Sequence, residues 1–152
     1  MRLLIAMMLS CCALAAHAAG PATLPPALAA YQGKLVYLDF WASWCGPCAE
    51  SFPWLNRMHE KYGADLVVVG VNVDTDAKAA DGFLKKHPAR FDIVRDPQGK
   101  LPELYAIEGM PSSVLIGPDG RVLHQHSGFR TTQAVEYEAA IRAALPRVEA
   151  RQ

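Results

Sequence analysis

The residues of this chain best suited to chemistry are Cys45 and Cys48, which are separated by two residues in the segment WCGPC. Their disulfide would close a ring too small to stabilise a fold by restricting the unfolded chain, so the pair is better explained by reactivity. The alternative is half of a zinc or other metal site, which needs two further ligands. Only His124 and His126, alternating on one strand, could share a face. We therefore expect a redox-active disulfide, no metal site and no cofactor.

The segments on either side of the pair determine which cysteine reacts first. Residues 34–41, KLVYLDFW, are typical of a strand buried on both faces, and residues 49–62 repeat apolar side chains at helical spacing. A thiol at the first turn of a helix is stabilised as a thiolate by the unpaired N–H groups and the helix dipole. We expect Cys45 to be the nucleophile, with its pKa lowered into the range of about 3.5 to 7.5, and Cys48 to resolve the mixed disulfide from inside the helix.

The remaining pattern predicts an α/β domain in which a β-α-β unit, a helical connector and a β-β-α unit share a central mixed sheet flanked by helices. Gly-Pro-Asp-Gly between two apolar runs predicts a hairpin turn in the C-terminal half. The elements expected after the first helix are a strand over 65–73, a helix capped by Thr75 or Asp76 and ending near His87, a strand over 91–94, a short helix over 101–105, hairpin strands over 113–116 and 121–126, and a helix from Thr131 as N-cap to Leu145, ended by Pro146.

The N-terminal residues have the composition of a secretory signal peptide. Arg2 precedes the apolar run 3–9, and the small residues Ala16 and Ala18 fit a signal-peptidase site. Export to the periplasm would place the cysteine pair in an oxidising compartment, where it stays a disulfide unless a reductant is supplied. The expected organisation is a signal peptide over 1–18, a lead-in linker over 19–33, a domain over 34–146 and a C-terminal tail over 147–152.

Two other interpretations of the N-terminal segment stay open. A membrane anchor would need roughly 20 uninterrupted apolar residues, and Ser10 and His17 interrupt this run. A lipoprotein would be acylated at Cys11 or Cys12, although Met8 makes the recognition sequence for acylation a poor one. In either case the domain after the segment would keep only the WCGPC cysteines.

The size and charge of the chain limit its classes of function. With 152 residues, of which 51% are hydrophobic, it has room for one compact domain. The 15 Lys and Arg residues balance the 15 Asp and Glu residues, so no long-range positive field would attract nucleic acid or an anionic membrane. We therefore expect no nucleic-acid partner and recognition through local contacts.

The segment FWASWCGPC resembles the active-site segment of thioredoxin-like proteins, and the wider chain is similar to the secreted TlpA/ResA type of that superfamily. The similarity extends over about 33–145 and includes CAESFPWLN, VVVGVNVD and GMPSSVLIGPDGRV. It implies a thioredoxin fold and a periplasmic protein disulfide reductase that acts in cell redox homeostasis and cytochrome c biogenesis. It also implies a monomer, disulfide-containing protein substrates and a membrane-embedded electron donor of the DsbD/CcdA type.

The resemblance also assigns substrate-binding roles. Pro111 stands where the family has a cis-proline beside the disulfide, and Met110 before it would offer backbone hydrogen bonds to an extended substrate segment. Trp44 matches the aromatic residue that flanks the nucleophile. Trp41 fits the family too, but a position in the core is an equally good interpretation. Ser112 departs from thioredoxin and most TlpA/ResA-type chains, which have Thr after the cis-proline, so the resemblance transfers no single known client.

Asp39 matches the buried acid of thioredoxin, which lies behind the second sulfur and moves a proton during exchange. A carboxylate within an apolar strand is costly to bury and acquires a raised pKa, so it needs a partner or a task. Many TlpA/ResA-type proteins instead have Asn there and an acid after the second strand, where this chain has Asp74 and Asp76. Since neither is a clear Glu equivalent, we assign the proton role to Asp39 and interpret Asp74 as a helix-cap residue.

The residues leave the direction of the redox chemistry open. Gly46 and Pro47 between the cysteines resemble the reducing thioredoxin pair, with a potential of about −270 mV, rather than an oxidant such as DsbA at roughly −120 mV. A periplasmic oxidase or isomerase would use the same cysteines in the opposite direction. A non-enzymatic metallochaperone or peptide-binding module would use the groove beside Pro111 without turnover.

Overall fold

The computed structural model describes residues 23–149, and the expected signal peptide over 1–18, with its two cysteines, lies outside them. The described strands are β1 (Val36–Trp41), β2 (Val67–Asn72), β3 (Asp92–Arg95), β4 (Ser112–Ile116) and β5 (Val122–Ser127). They form one mixed sheet in the order β3-β2-β1-β4-β5. The expected β-α-β unit, helical connector and β-β-α unit are confirmed.

Helices lie between and around these strands. The α-helices are α1 (Cys48–Tyr62), α2 (Ala77–Lys86), α3 (Lys100–Leu104) and α4 (Ala134–Glu149), and short 3-10 helices cover Pro26–Tyr31, Gly63–Asp65 and Thr131–Gln133. Between residues 23 and 149, no helix combines the length and the apolar character needed to cross a membrane.

The central strand β1 sets the position of the site. All six of its residues are buried, as its apolar sequence predicts. It pairs in parallel with β2 and antiparallel with β4, and β4 in turn pairs antiparallel with β5. The carboxyl ends of β1 and β2 therefore meet the amino end of β4 and the carboxyl end of β5 at one edge of the sheet. Loops from four strands converge there.

Two apolar cores cover the two faces of the sheet. One contains side chains of α1, α2 and α4, and Trp41 lies in it, fully buried and edge-on to Phe52 with ring centroids 5.1 Å apart. The core interpretation of Trp41 is therefore confirmed. The other core contains residues of α3 together with Leu24 and Leu28. Residues of the lead-in thus cover a sheet face.

The C-terminal helix differs from its prediction at both ends. Thr131 begins a 3-10 helix and α4 starts at Ala134, so Thr131 is not the N-cap of α4. Pro146 does not end α4, which continues to Glu149. A proline removes one backbone donor, and within the last turn of a helix this loss leaves the preceding turns intact. The first residues of the expected tail over 147–152 are therefore helical.

Candidate active site

The cysteine pair lies where β1 ends. The loop after this strand carries Cys45, and α1 begins at Cys48. The two residues form a disulfide, with their Cα atoms 5.4 Å apart. Cys45 retains 5% of its surface exposed whereas Cys48 has none, so Cys45 is the sulfur that a partner can reach. This order of accessibility agrees with the order of reaction expected from the sequence.

The turn around Cys45 corrects one expectation. Cys45 does not belong to the first turn of α1 but to the tighter turn before it. The backbone N–H of Cys48 donates to the Cys45 carbonyl oxygen at 3.2 Å, and the N–H of Ala49 donates to that of Gly46 at 3.1 Å. Hydrogen bonds of this 3-10 type, between residues three apart, commonly occur at the start of an α-helix. Cys45 therefore adjoins the helix N-terminus, where the positive end of the helix dipole favours negative charge, rather than being part of the first turn.

The antiparallel pairing of β4 with β1 brings Pro111 to the same edge. The Met110–Pro111 peptide bond is cis, as the resemblance implied. Pro47, Met110 and Pro111 line one groove of about 250 Å³. The proline between the cysteines and the cis-proline thus border a common surface.

Two further residues named from the resemblance differ in access. Trp44, directly before Cys45, is 71% exposed. Ser112 is buried, and its hydroxyl donates to the carbonyl oxygen of Gly109 at 2.7 Å. Trp44 can therefore contact a partner, whereas the Ser112 hydroxyl holds the loop before the cis-proline.

Asp39 lies in the middle of β1 and only 1% of its surface is exposed. The hydroxyl of Ser113, its partner across the β1–β4 pair, donates to Oδ1 at 2.8 Å, and the hydroxyl of Ser51 donates to Oδ2 at 3.5 Å. Burial raises the pKa of Asp39 from 3.8 to about 7, although both hydrogen bonds act to lower it. A carboxyl group with this pKa can take up or release a proton near neutral pH.

Ser51 connects this carboxyl group to the cysteine pair. It lies one helical turn after Cys48, and its hydroxyl contacts the Cys48 carbonyl oxygen at 3.0 Å as well as Asp39. Ser51 is fully buried. The acid and the buried cysteine residue therefore share Ser51 as a neighbour.

Asp74 does not cap a helix, which corrects the expectation for it. Asp76 is the N-cap of α2 and accepts a hydrogen bond from the N–H of Lys78 at 2.9 Å. Asp74 instead accepts three bonds: from the N–H and the hydroxyl of Ser43, each at 2.8 Å, and from Nδ2 of Asn72 at 2.7 Å. It lies two residues beyond β2, so the parallel pairing of β1 and β2 brings it to the loop that carries Cys45.

A second cleft, of about 330 Å³, lies beside the active-site loop. Cys45 and Ser43 line it from the active-site loop, and Phe83, Lys86 and His87 line it from α2 and the residue after it. Two basic side chains therefore flank a space that reaches the accessible sulfur.

Sequence reasoning missed the serines of this site and the α2 side of this cleft. Ser51 has a signal, because a residue three positions after Cys48 shares its helix face. Ser113 has a weaker one, since its contact with Asp39 depends on the register between β1 and β4. The cleft residues of α2 have none, because an intervening strand separates them from the cysteines in sequence.

This site belongs to a thioredoxin-fold protein with a disulfide at the junction of a central strand and the next helix. Residues 22–141 match the Redoxin family model, and the chain belongs to the Redoxin family. It is 31% identical to the thiol-disulfide oxidoreductase ResA of Bacillus thuringiensis over 107 residues, which are 70% of this chain and 62% of that protein. The chain thus spans less than two thirds of the length of this relative.

Two solved structures have the same fold. One is described as a thiol:disulfide interchange protein DsbE from Chlorobium tepidum, with 50% identity, a TM-score of 0.75 and coverage of 78% of this chain and 84% of that one. The other is an exposed lipoprotein thioredoxin of Streptococcus pneumoniae, with 30% identity, a TM-score of 0.66 and coverage of 76% and 89%.

Proposed function

We propose that this protein is an exported thiol-disulfide oxidoreductase that reduces disulfides in other proteins. The observation that carries the proposal is the Cys45–Cys48 disulfide, in which one sulfur is accessible and the other is buried near a carboxyl group of raised pKa. Membership of the Redoxin family and the similarity to ResA and DsbE support the same chemistry.

The reaction uses the two cysteines in order. The Cys45 thiolate attacks a substrate disulfide, whose S–S bond breaks to release one substrate thiol and leave a mixed disulfide. Cys48 then attacks the sulfur of Cys45, which releases the second substrate thiol. The substrate gains two electrons and two protons, and the protein is left with its disulfide.

Asp39 is the base for the second step. A Cys48 thiol that has no exposed surface cannot give its proton directly to water. The Asp39 carboxylate takes this proton, so that the attacking thiolate forms only when the mixed disulfide is in place.

The groove bordered by Met110 and Pro111 binds an extended segment of the substrate. Its proximity to the cysteine pair supports this role, because backbone hydrogen bonds at Met110 would hold the substrate disulfide in line with Cys45. Trp44 supplies an exposed aromatic contact beside the same sulfur.

We further propose a periplasmic location and re-reduction by a membrane-embedded dithiol donor of the DsbD/CcdA type, with apocytochrome c among the clients. The expected signal peptide and the similarity to an exposed lipoprotein thioredoxin support export. In an oxidising compartment a reductase needs such a source of electrons. The proposed functional unit is a monomer, because the cysteines, Asp39 and Pro111 all come from one chain.

Covalent trapping tests the reaction and the client together. A Cys48→Ala variant cannot resolve the mixed disulfide, so substrates should accumulate on Cys45 in cells and be released by dithiothreitol. A Cys45→Ala variant is the matched control. It lacks the attacking sulfur and keeps only the buried Cys48, so it should trap no substrate. Equal trapping by both variants would contradict the order of the two cysteines.

A redox titration against glutathione tests the direction. We expect a potential near the value of about −270 mV for thioredoxin, together with reduction of insulin. A potential above about −180 mV, the value of protein disulfide isomerase, would favour an oxidase or isomerase instead. Stoichiometric metal in the purified protein without insulin reduction would favour a metallochaperone.

A further inference from the structure

Asp39 has no direct route to solvent for the proton that it handles. It is 1% exposed and lies in the central strand, beneath α1. Its closest hydrogen-bond partner is Ser113, at 2.8 Å, rather than a surface group. A proton taken from Cys48 must therefore leave through neighbouring side chains.

The sheet register places a line of hydroxyl and imidazole groups beside Asp39. Ser113 of β4 is the cross-strand partner of both Asp39 in β1 and His126 in β5. Tyr37, two residues before Asp39, points to the same face of the sheet because side chains alternate along a strand. Its hydroxyl lies 2.9 Å from Nε2 of His126. The line runs across the sheet, from the central strand β1 towards the edge strand β5.

The connection between Ser113 and Tyr37 completes this line. Tyr37 pairs with Leu115, two residues along β4 from Ser113, so Tyr37 and Ser113 are diagonal neighbours on one face of the sheet, within reach of a long side chain. Burial raises the pKa of Tyr37, and its interaction with Ser113 acts to lower it. Ser113 has one hydroxyl proton, which it can donate either to Asp39 or to Tyr37. When Asp39 is protonated, it donates to Ser113, and Ser113 is then free to donate to Tyr37.

The tautomer of His126 gives the line a direction. Its Nδ1 lies 3.0 Å from the carbonyl oxygen of Gly128, which can only accept, so Nδ1 carries the proton of the neutral ring. Nε2 is then an acceptor for the Tyr37 hydroxyl. Burial lowers the pKa of His126, and the neighbouring His124 lowers it further. The hydrogen bond to Gly128 acts to raise this pKa but does not offset the other two effects, so the ring is neutral at pH 7.

The surroundings of His126 keep it in this orientation. Its ring stacks on Tyr137 of α4, with centroids 3.9 Å apart and planes within 6°. The exposed His124 ring is 6.1 Å away on the same strand. The titratable groups that face His126 are therefore Tyr37, His124 and Tyr137. His126 itself is half-buried and borders solvent, where it can lose a proton.

We propose that Ser113, Tyr37 and His126 conduct the proton between Asp39 and solvent during the step in which Cys48 attacks. The proposal rests on the proposed function of Asp39 as the base for that step. Asp39 passes its proton to Ser113, Ser113 passes its own to Tyr37, and Tyr37 passes its own to Nε2 of His126. The imidazolium then loses a proton to water, so one proton leaves and no electrons move.

Stopped-flow reaction of the reduced protein with 5,5′-dithiobis(2-nitrobenzoate) tests the proposal. The first thionitrobenzoate released reports attack by Cys45 and the second reports attack by Cys48. In Tyr37→Phe and in His126→Gln, the second phase should slow by about tenfold or more while the first phase is unchanged. The matched control for Tyr37→Phe is Tyr62→Phe, on α1 outside the line, and it should leave both phases unchanged.

A second readout separates proton conduction from a structural effect. In His126→Gln, added imidazole should accelerate the second phase in proportion to its concentration, whereas the wild-type rate should not depend on imidazole. Unchanged second phases in both Tyr37→Phe and His126→Gln, or slowing without rescue by imidazole, would overturn the proposal.

Asp39→Asn distinguishes this failure from a failure of the proposed function. If Asp39→Asn slows the second phase and the Tyr37 and His126 variants do not, Asp39 is the base but its proton leaves by another route. If Asp39→Asn leaves the second phase unchanged, the proposed role of Asp39 is wrong, and the route that depends on it is wrong with it.

Discussion

Two buried aspartates, Asp39 in the middle of β1 and Asp74 just beyond β2, differ in their hydrogen bonds. Asp74 accepts three bonds of 2.7 to 2.8 Å, one of them from a backbone N–H. Asp39 accepts one bond of 2.8 Å and one of 3.5 Å, both from hydroxyl groups. Asp74, which has three donors, fixes the loop that carries Cys45. Asp39, which has two, has a pKa of about 7.

The difference shows how one fold can use the same side chain for structure and for chemistry. Donors that hold a buried carboxylate stabilise its charged form and fix its position. A buried carboxylate with few donors is destabilised when charged, so it exchanges protons near neutral pH at a cost in stability. Changing each aspartate should therefore shift the stability of the protein in opposite directions.

The largest expected effect is on stability in Asp39→Asn. The folded protein holds the Asp39 proton up to about pH 7, whereas the unfolded chain releases it near pH 3.8. Wild-type stability therefore falls as pH rises through this window and stays low above it. At about 1.4 kcal/mol for each tenfold change in proton affinity, the loss approaches about 4 kcal/mol.

Asp39→Asn should remove this loss. The oxidised variant should become more stable than wild type above pH 7, and its advantage should shrink by about 4 kcal/mol as pH falls below 4. Urea denaturation at pH 3.5 and pH 8 measures both values. A difference between variant and wild type that is the same at the two pH values would show that Asp39 has an ordinary pKa.

The next effect is a loss of stability in Asp74→Ala. Removal of the carboxylate leaves two donors on Ser43 and one on Asn72 without their acceptor, which should lower the free energy of unfolding by about 3 kcal/mol. The displaced loop should also slow the reaction of Cys45. Urea denaturation and the rate of alkylation of the reduced protein measure the two effects.

Asp76→Ala is the matched control for this variant. Asp76 lies two residues away and accepts one bond, at the N-cap of α2. Its removal should lower the free energy of unfolding by about 1 kcal/mol and leave alkylation of Cys45 unchanged. If Asp74→Ala lowered stability no more than Asp76→Ala and left alkylation unchanged, the three hydrogen bonds of Asp74 would not be what fixes the loop that carries Cys45.

The contrast between the two aspartates also marks the limit of prediction from sequence. The apolar run around Asp39 shows that this residue is buried, and the resemblance around WCGPC names its task. Asp74 was misinterpreted because a carboxylate before a helix is a strong local signal for a cap. Its real partner, Ser43, is distant in sequence and reaches it only through the parallel pairing of β1 and β2.

The same reason explains why most of the fold could be predicted and the proton route could not. Burial and helical spacing are properties of neighbouring residues, so β1 and α1 were expected within a few positions. The contacts of Ser113 and His126 depend on the register of three strands, which no local pattern contains. The local rule that a proline ends a helix did not hold at Pro146, because this residue lies within the last turn of α4.

The smallest expected effect separates the two hydroxyl groups that serve Asp39. Each bond acts to lower the pKa of Asp39, so Ser113→Ala and Ser51→Ala should both raise it. The bond from Ser113 is 2.8 Å long and that from Ser51 is 3.5 Å, so Ser113→Ala should weaken the acid roughly tenfold and Ser51→Ala by less. Titration of the Asp39 carboxyl carbon by NMR measures both changes in the oxidised protein. A larger shift in Ser51→Ala would mean that the contact to the Cys48 carbonyl, rather than the shorter bond, governs the acid.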